Sequence, residues 1–120
     1  MLPFILMKGA SEMLYINGTT IKLTRGDTAY LSVPIKRDGE DYTMQPTDTL
    51  AFSVKRYTTD DEYLIHKEVK GDNLFHIEPQ DTADLPFGSY KYDVQLTTAS
   101  GDVFTVIDVS TFEVLQEVTR

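Results

Sequence analysis

The sequence predicts an all-β chain folded as a two-sheet antiparallel sandwich. Three observations carry that expectation. Across the 120 residues, short stretches place apolar side chains at every second position, the period of a strand with one buried and one wet face. Turn dipeptides separate these stretches at short, regular intervals, the spacing of a sandwich or barrel. No stretch longer than about seven residues reads as helix, which removes parallel α/β architectures.

The elements follow in order. Residues 1–12, "MLPFILMKGASE", hold an apolar run broken by Lys8. That run is too short, and lacks the positive start, of a secretion signal, and it is far below a membrane-spanning length. The segment is read as an N-terminal arm or an extension upstream of the natural start, outside a sandwich that occupies residues 13–120. Strands over 13–16 and 21–23 flank Asn17-Gly18, a dipeptide suited to a tight hairpin because both positions tolerate positive φ. Over 27–36, Ala29, Leu31, Val33 and Ile35 share one face, and Pro34 places that strand at an edge or bends it there. Asp38-Gly39 turns into a short strand over 42–44. In 49–57, Leu50, Phe52 and Val54 point inward. Segments 62–69 and 73–78 read as a hairpin around Gly71-Asp72. A turn at Ser100-Gly101-Asp102 joins 103–109, and 111–118 closes the fold. The expected core is Leu31, Val33, Ile35, Leu50, Phe52, Val54, Tyr92, Val94 and Leu96.

The stretch "DTADLPFGSYKYDVQL", residues 81–96, separates sandwich from barrel. Its second half alternates, with Tyr90, Tyr92, Val94 and Leu96 on one face. Its first half is a compact acidic corner: Asp81 and Asp84 to cap a turn, Leu85 to plug the core, Gly88 to release the chain. A corner that leads into a strand through a tyrosine, whose hydroxyl bonds back to upstream backbone, belongs to immunoglobulin-like sandwiches. That is the topology expected.

Composition narrows the chemistry. There is no cysteine, so disulfides and thiolate metal sites are removed, and folding in a reducing compartment fits. The formal net charge is -8 and the Lys and Arg residues are scattered, which argues against a phosphate-backbone partner. There is no "GxSxG" elbow, and His66 and His76 are the plausible bases at neutral pH. On a two-residue hairpin, His66 would fall opposite Ile77 and Lys67 opposite His76, so the imidazoles would face opposite sides of the sheet and share no metal, whereas a one-residue slip in register would bring them to one face. The acidic runs 38–41 and 60–62 lack the alternate-position spacing of calcium loops. Arg25-Gly26-Asp27 spells an adhesion tripeptide, but it precedes a strand, where Gly26 opens the turn and Asp27 bonds nearby backbone. The expectation is no catalytic, cofactor-binding or metal site, and no cofactor.

Four segments, "TIKLTRGDTAYLSVPI" (20–35), "TLAFSVKR" (49–56), "DTADLPFGSYKYDVQL" (81–96) and "STFEVLQEVT" (110–119), carry a resemblance. Together and in this order, the chain resembles small immunoglobulin-like virion proteins of phages and prophages of Gram-positive hosts, similar to the N-terminal domain of a baseplate upper protein. The first twelve residues depart from that pattern. The resemblance implies a structural protein of the tail, baseplate or head decoration. It would be made in the host cytoplasm, located in the virion, and partnered by other virion proteins and its own copies, with neither nucleic acid nor membrane. The 111–118 strand is the expected edge for such contacts. The alternative is a stand-alone host-surface or carbohydrate-binding module; with no Trp, Tyr57 and Tyr63 are the aromatic pair that would form its platform.

Overall fold

Alternation in the sequence becomes alternation in burial. In a computed structural model of the chain, which describes residues 6–8, 15–17, 19–37 and 40–119, these residues form eleven strands and one five-residue helix. Strands β1 (Leu6–Lys8), β4 (Ala29–Ser32) and β9 (Leu74–Ile77) make a three-stranded sheet in the order β1-β4-β9. Strands β2 (Tyr15–Asn17), β3 (Thr20–Thr24), β7 (Thr49–Lys55), β8 (Ile65–Lys70), β10 (Gly88–Thr97) and β11 (Val103–Leu115) make a six-stranded sheet, ordered β2-β3-β11-β10-β7-β8. A ribbon of β5 (Lys36–Arg37) and β6 (Glu40–Asp41) stands apart, and α1 (Pro79–Ala83) links β9 to the corner before β10. The chain is all-β, as expected.

The two sheets bury their facing sides against each other. All nine expected core residues are buried, joined by Ile21, Leu23, Phe75, Ile77, Tyr90, Ile107, Phe112 and others. Phe52 on β7 sits at the centre, its ring 5.7 Å from Phe75 on the opposite sheet, 5.4 Å from Tyr92 and 6.1 Å from Phe112. Tilted and edge-on ring contacts at these separations add to the area term of burial. Both buried tyrosines satisfy their hydroxyls: Tyr90 donates to the Pro86 carbonyl at 2.6 Å, and Tyr92 donates to the Thr19 carbonyl. Burial pushes the Tyr92 phenol well above its ordinary range, so it stays protonated as a donor.

The corner forms as its residues suggest. Pro79 opens α1, where a missing N–H costs nothing. The Asp81 carboxylate accepts the Glu78 N–H at 2.7 Å, and Asp84 ends the helix. Leu85 packs on the core. The buried Thr82 hydroxyl accepts the Gly26 N–H at 2.8 Å, fastening the corner to the β3–β4 turn.

Five expectations are corrected. First, the sheets are not wholly antiparallel: β3 runs parallel to β11, with Ile21 opposite Phe112 and Thr24 opposite Leu115. A hairpin forces antiparallel pairing, but no turn joins these two strands, so their directions are free to agree. Second, 62–69 and 73–78 do not form a hairpin. β8 pairs with β7, β9 pairs with β4, and the chain crosses between sheets at 71–73. Gly71, at φ 68°, makes that crossing, and its N–H bonds the Asp48 carbonyl at 2.8 Å. Asn73 then holds the far side, exchanging bonds with the Val33 backbone.

Third, the 111–118 segment is no edge: over Phe112–Leu115, β11 lies between β3 and β10. Segments 103–109 and 111–115 are one strand, with two register shifts against β10, and 116–118 lie beyond its end. Fourth, part of residues 1–12 does belong to a sheet, since Leu6–Lys8 pairs with Ser32–Tyr30 of β4; an unpaired flank of β4 would otherwise leave ladder groups unsatisfied. The remainder of 1–12 lies outside the described residues, as do 13–14. Fifth, Asn17 pairs with Thr20 and so belongs to the first ladder rather than to its turn, while Gly18 lies outside the described residues. Pro34 lies just beyond the end of β4, between the buried Val33 and Ile35, and β4 is the middle strand of its sheet rather than the edge expected from that proline. Residues 42–44, expected as a strand, lie in none; the neighbouring two-residue β6 ends at Asp41, and the expected turn at Asp38-Gly39 lies outside the described residues.

Candidate functional site

With Leu50, Phe52 and Val54 of β7 turned into the core, Ala51, Ser53 and Lys55 must face outward. Ladder partners share a face. The outer surface of the six-stranded sheet is therefore built in rows: Glu68, Ala51, Gln95 and Thr105 in one; His66, Ser53 and Asp93 in the next; Lys55 and Lys91 in a third. The outward residues of β7 are small along Ala51 and Ser53, and the flanking strands carry longer ones. The result is an open concavity of about 440 Å³ along β7, walled by His66 and Glu68 on one side and by Lys91, Asp93 and Gln95 on the other. Tyr63 and Thr58, from the loop between β7 and β8, close one end, and Val109 lies on the β11 side.

The wall on β8 is ordered by contacts across the sheet. The Ser53 hydroxyl lies 2.8 Å from His66 Nδ1, and His66 Nε2 lies 3.0 Å from a Glu68 carboxylate oxygen. A carboxylate only accepts, so Nε2 carries the proton; in the neutral ring Nδ1 then accepts from Ser53. The Tyr63 ring stacks on His66 with centroids 4.5 Å apart and planes 14° from parallel. Lys55 Nζ sits 5.1 Å from the Tyr63 centroid and donates to the Asp60 carbonyl at 2.7 Å, holding the loop down. Across the floor, burial pushes the Asp93 carboxyl above its ordinary range, and the Lys55 ammonium draws it part of the way back.

A serine, an imidazole and a carboxylate in line invite comparison with an acyl-transfer triad. The backbone argues otherwise. β7 is paired on both sides, with β8 and with β10, so its amides around Ser53 are consumed by ladder bonds. Acyl transfer needs free N–H groups aimed at a developing oxyanion, and a flat central strand offers none. The row is suited to holding polar groups of a ligand.

The structure also locates the residues singled out by sequence. His66 and His76 stand on different sheets; His76 stacks on Tyr30 at 4.5 Å and lies 3.8 Å from Glu78. Arg25 of the adhesion-like tripeptide donates to the Glu117 carboxylate at 2.9 Å and to the Leu85 carbonyl at 3.3 Å, with its guanidinium over Phe87. It is a clamp between β3 and the chain beyond β11. Asp60 accepts the Tyr57 N–H at 3.0 Å, a turn contact, and Lys36 pairs with Asp41 at 2.7 Å; Asp38 lies outside the described residues. Among the described residues no group of three or more His, Asp or Glu is placed to hold a metal ion. Tyr57 and Tyr63 part company: Tyr63 lines the concavity, whereas Tyr57 lies beneath the Arg56 guanidinium. Sequence reading missed Ser53, Glu68, Asp93 and Gln95. Pairing 49–57 with 62–69 through the "TTDD" turn would have set Ser53 opposite His66.

No protein-family model matches the chain, and no curated protein matches it. Among the described residues, no helix is long and apolar enough to cross a membrane.

Proposed function

We propose that the chain is an immunoglobulin-like structural protein of a phage or prophage virion, in the tail, baseplate or head decoration, acting by assembly and without turnover. The observation that carries the fold assignment is the corner in which the buried Tyr90 hydroxyl donates to the Pro86 carbonyl four residues upstream. The strand order supports it. A three-stranded sheet faces a sheet in which β7, β10 and β11 are neighbours, β8 adds beside β7, and β3 flanks the last strand. A central β7-β10-β11 trio facing a second sheet supports an immunoglobulin-like reading, with β8 added on one side of the trio and β3 and β2 on the other.

The virion role rests on the four resembling segments, which fall on β3 and β4, on β7, on the corner with β10, and on the C-terminal half of β11. Those are the framework of the sandwich. With Phe112–Leu115 internal, assembly contacts fall, among the described residues, first to the outermost strands β1, β2, β8 and β9. On β8, Lys67, Glu68 and Lys70 oppose the docking of a bare strand. The experiment is mass spectrometry and cryo-electron microscopy of purified virions from a host carrying the gene. The expected result is this chain in many symmetric copies. Its absence from virions, with the gene outside any phage cluster, defeats the reading.

A further inference from the structure

We propose that the concavity on the outer face of the six-stranded sheet is a binding site for a neutral saccharide of one or two rings, held by Asp93, Gln95, Glu68 and Ser53. The inference starts from charge. Lys55 and Lys91 face Glu68 and Asp93 in the same lining, so formal charges there cancel. An anion would meet two carboxylates and a cation two ammonium groups. A neutral ligand that both donates and accepts hydrogen bonds meets neither penalty.

Asp93 adds direction. Among the described residues no hydrogen bond or salt bridge reaches its carboxylate, although it is partly buried beside Ser53 on a central strand. In the open concavity this carboxylate meets water in the free chain, and a sugar hydroxyl can take that water's place as donor. Gln95 stands next along β10 on the same face and is likewise without a hydrogen bond among these residues, with an amide that can accept and donate. Glu68 and Ser53 offer polar atoms on the other side of the floor.

These acceptors are spread over three strands and do not converge on one point, consistent with the lack of any metal-holding group among the described residues. A ligand reaching all of them must carry several hydroxyls around its own body, which a pyranose does. Such a ring also has apolar C–H faces. The concavity answers with Val109, 57% exposed in otherwise polar surroundings, and with the edge of the Tyr63–His66 stack. Its volume of about 440 Å³ lies within the range of small-molecule sites.

The proposal does not depend on the virion reading, since the site lies within one chain. It is tested by titrating the ¹⁵N-labelled full chain with a panel of hexoses, N-acetylhexosamines, deoxyhexoses and their disaccharides, and separately with 1,4-diaminobutane. At least one sugar is expected to bind with a dissociation constant of roughly 1–10 mM, shifting amides of 51–55, 66–68 and 91–97. Asp93→Ala and Gln95→Ala should each weaken that binding about tenfold without lowering the thermal midpoint. No saturable shift from any sugar up to about 100 mM overturns the proposal. So does binding by the diamine alone, or undiminished sugar binding in both variants.

Discussion

Single side chains in this fold carry separable duties, and two of them give direct tests. The Tyr90 hydroxyl anchors the corner to the Pro86 carbonyl at 2.6 Å from a buried ring. Tyr90→Phe keeps the ring and removes the donor, leaving that carbonyl unpaired. The expected loss is about 1–2 kcal/mol in chemical denaturation, with an unchanged m-value because the exposed surface on unfolding is the same. Asp93 works in the opposite sense. Its carboxyl is raised above the ordinary range by burial, with Lys55 as a partial counterweight. An ionised Asp93 is therefore costlier in the folded than in the unfolded chain, and stability falls as pH rises through the interval between its two pKa values. Asp93→Asn should melt higher than the parent at neutral pH, and the gap should close on acidification below roughly pH 4, where the unfolded carboxyl is protonated too. A variant that melts lower at pH 7 would show that the charge stabilises the fold.

At the scale of elements, what could be read from the sequence divides by physical cause. Strand faces were legible, because Leu50, Phe52 and Val54 or Tyr90, Tyr92, Val94 and Leu96 encode their side of the sheet in a period of two, and all are buried. The corner was legible because its turn residues are local. Pairing was not. β8 has strand neighbours before and after it in the chain, and a Gly-Asp dipeptide looks like a hairpin turn whether the chain doubles back or, as here, crosses to the other sheet. That one ambiguity hid the site, since only the β7–β8 ladder sets Ser53 against His66. In β11, Val106 and Ile107 are consecutive and both buried, the mark of a bulge that breaks alternation. Val103–Val109, whose flank is not paired with β3, lies beside these irregularities, and bulges of this kind disfavour strand addition at an open flank. β1 was read as an arm because three residues are too few to display a period. A chain beginning at Met13 loses the β1–β4 ladder and should be destabilised by about 1–3 kcal/mol. An unchanged thermal midpoint would return the segment to the status of an arm.

The molecule as a whole depends on the contact between its two sheets, and Phe52 is where that contact is densest. Its ring meets aromatic rings from β9, β10 and β11, two on its own sheet and one opposite. Phe52→Ala opens a cavity that neither sheet can collapse into, at a cost of about 3–5 kcal/mol. That is a large share of the roughly 5–15 kcal/mol available to a domain. Val94→Asp, which buries a charge on the same face, should unfold the chain at moderate temperature. Circular dichroism melts of both variants check the prediction, and parent-like midpoints would mean the inner and outer faces are reversed. The outer face is tolerant by comparison, because its side chains meet solvent. A binding surface can be altered there without the fold being at stake.

The parallel pairing of β3 with β11 has a mechanical meaning. One strand belongs to the early part of the chain and the other to the late part, and they run side by side in the same direction. Tension applied through the backbone on either side of the domain pulls β3 toward its start and β11 toward its end. The two strands are then dragged along each other, and the bonds between Ile21–Thr24 and Phe112–Leu115 share the force simultaneously instead of opening one by one. The Arg25–Glu117 clamp lies at the end of that patch and resists the same displacement. Stretched in a force spectrometer, the β3–β11 patch should yield in one abrupt event once the short β1 and β2 ladders ahead of it have given way, and Glu117→Ala should lower the force of that event.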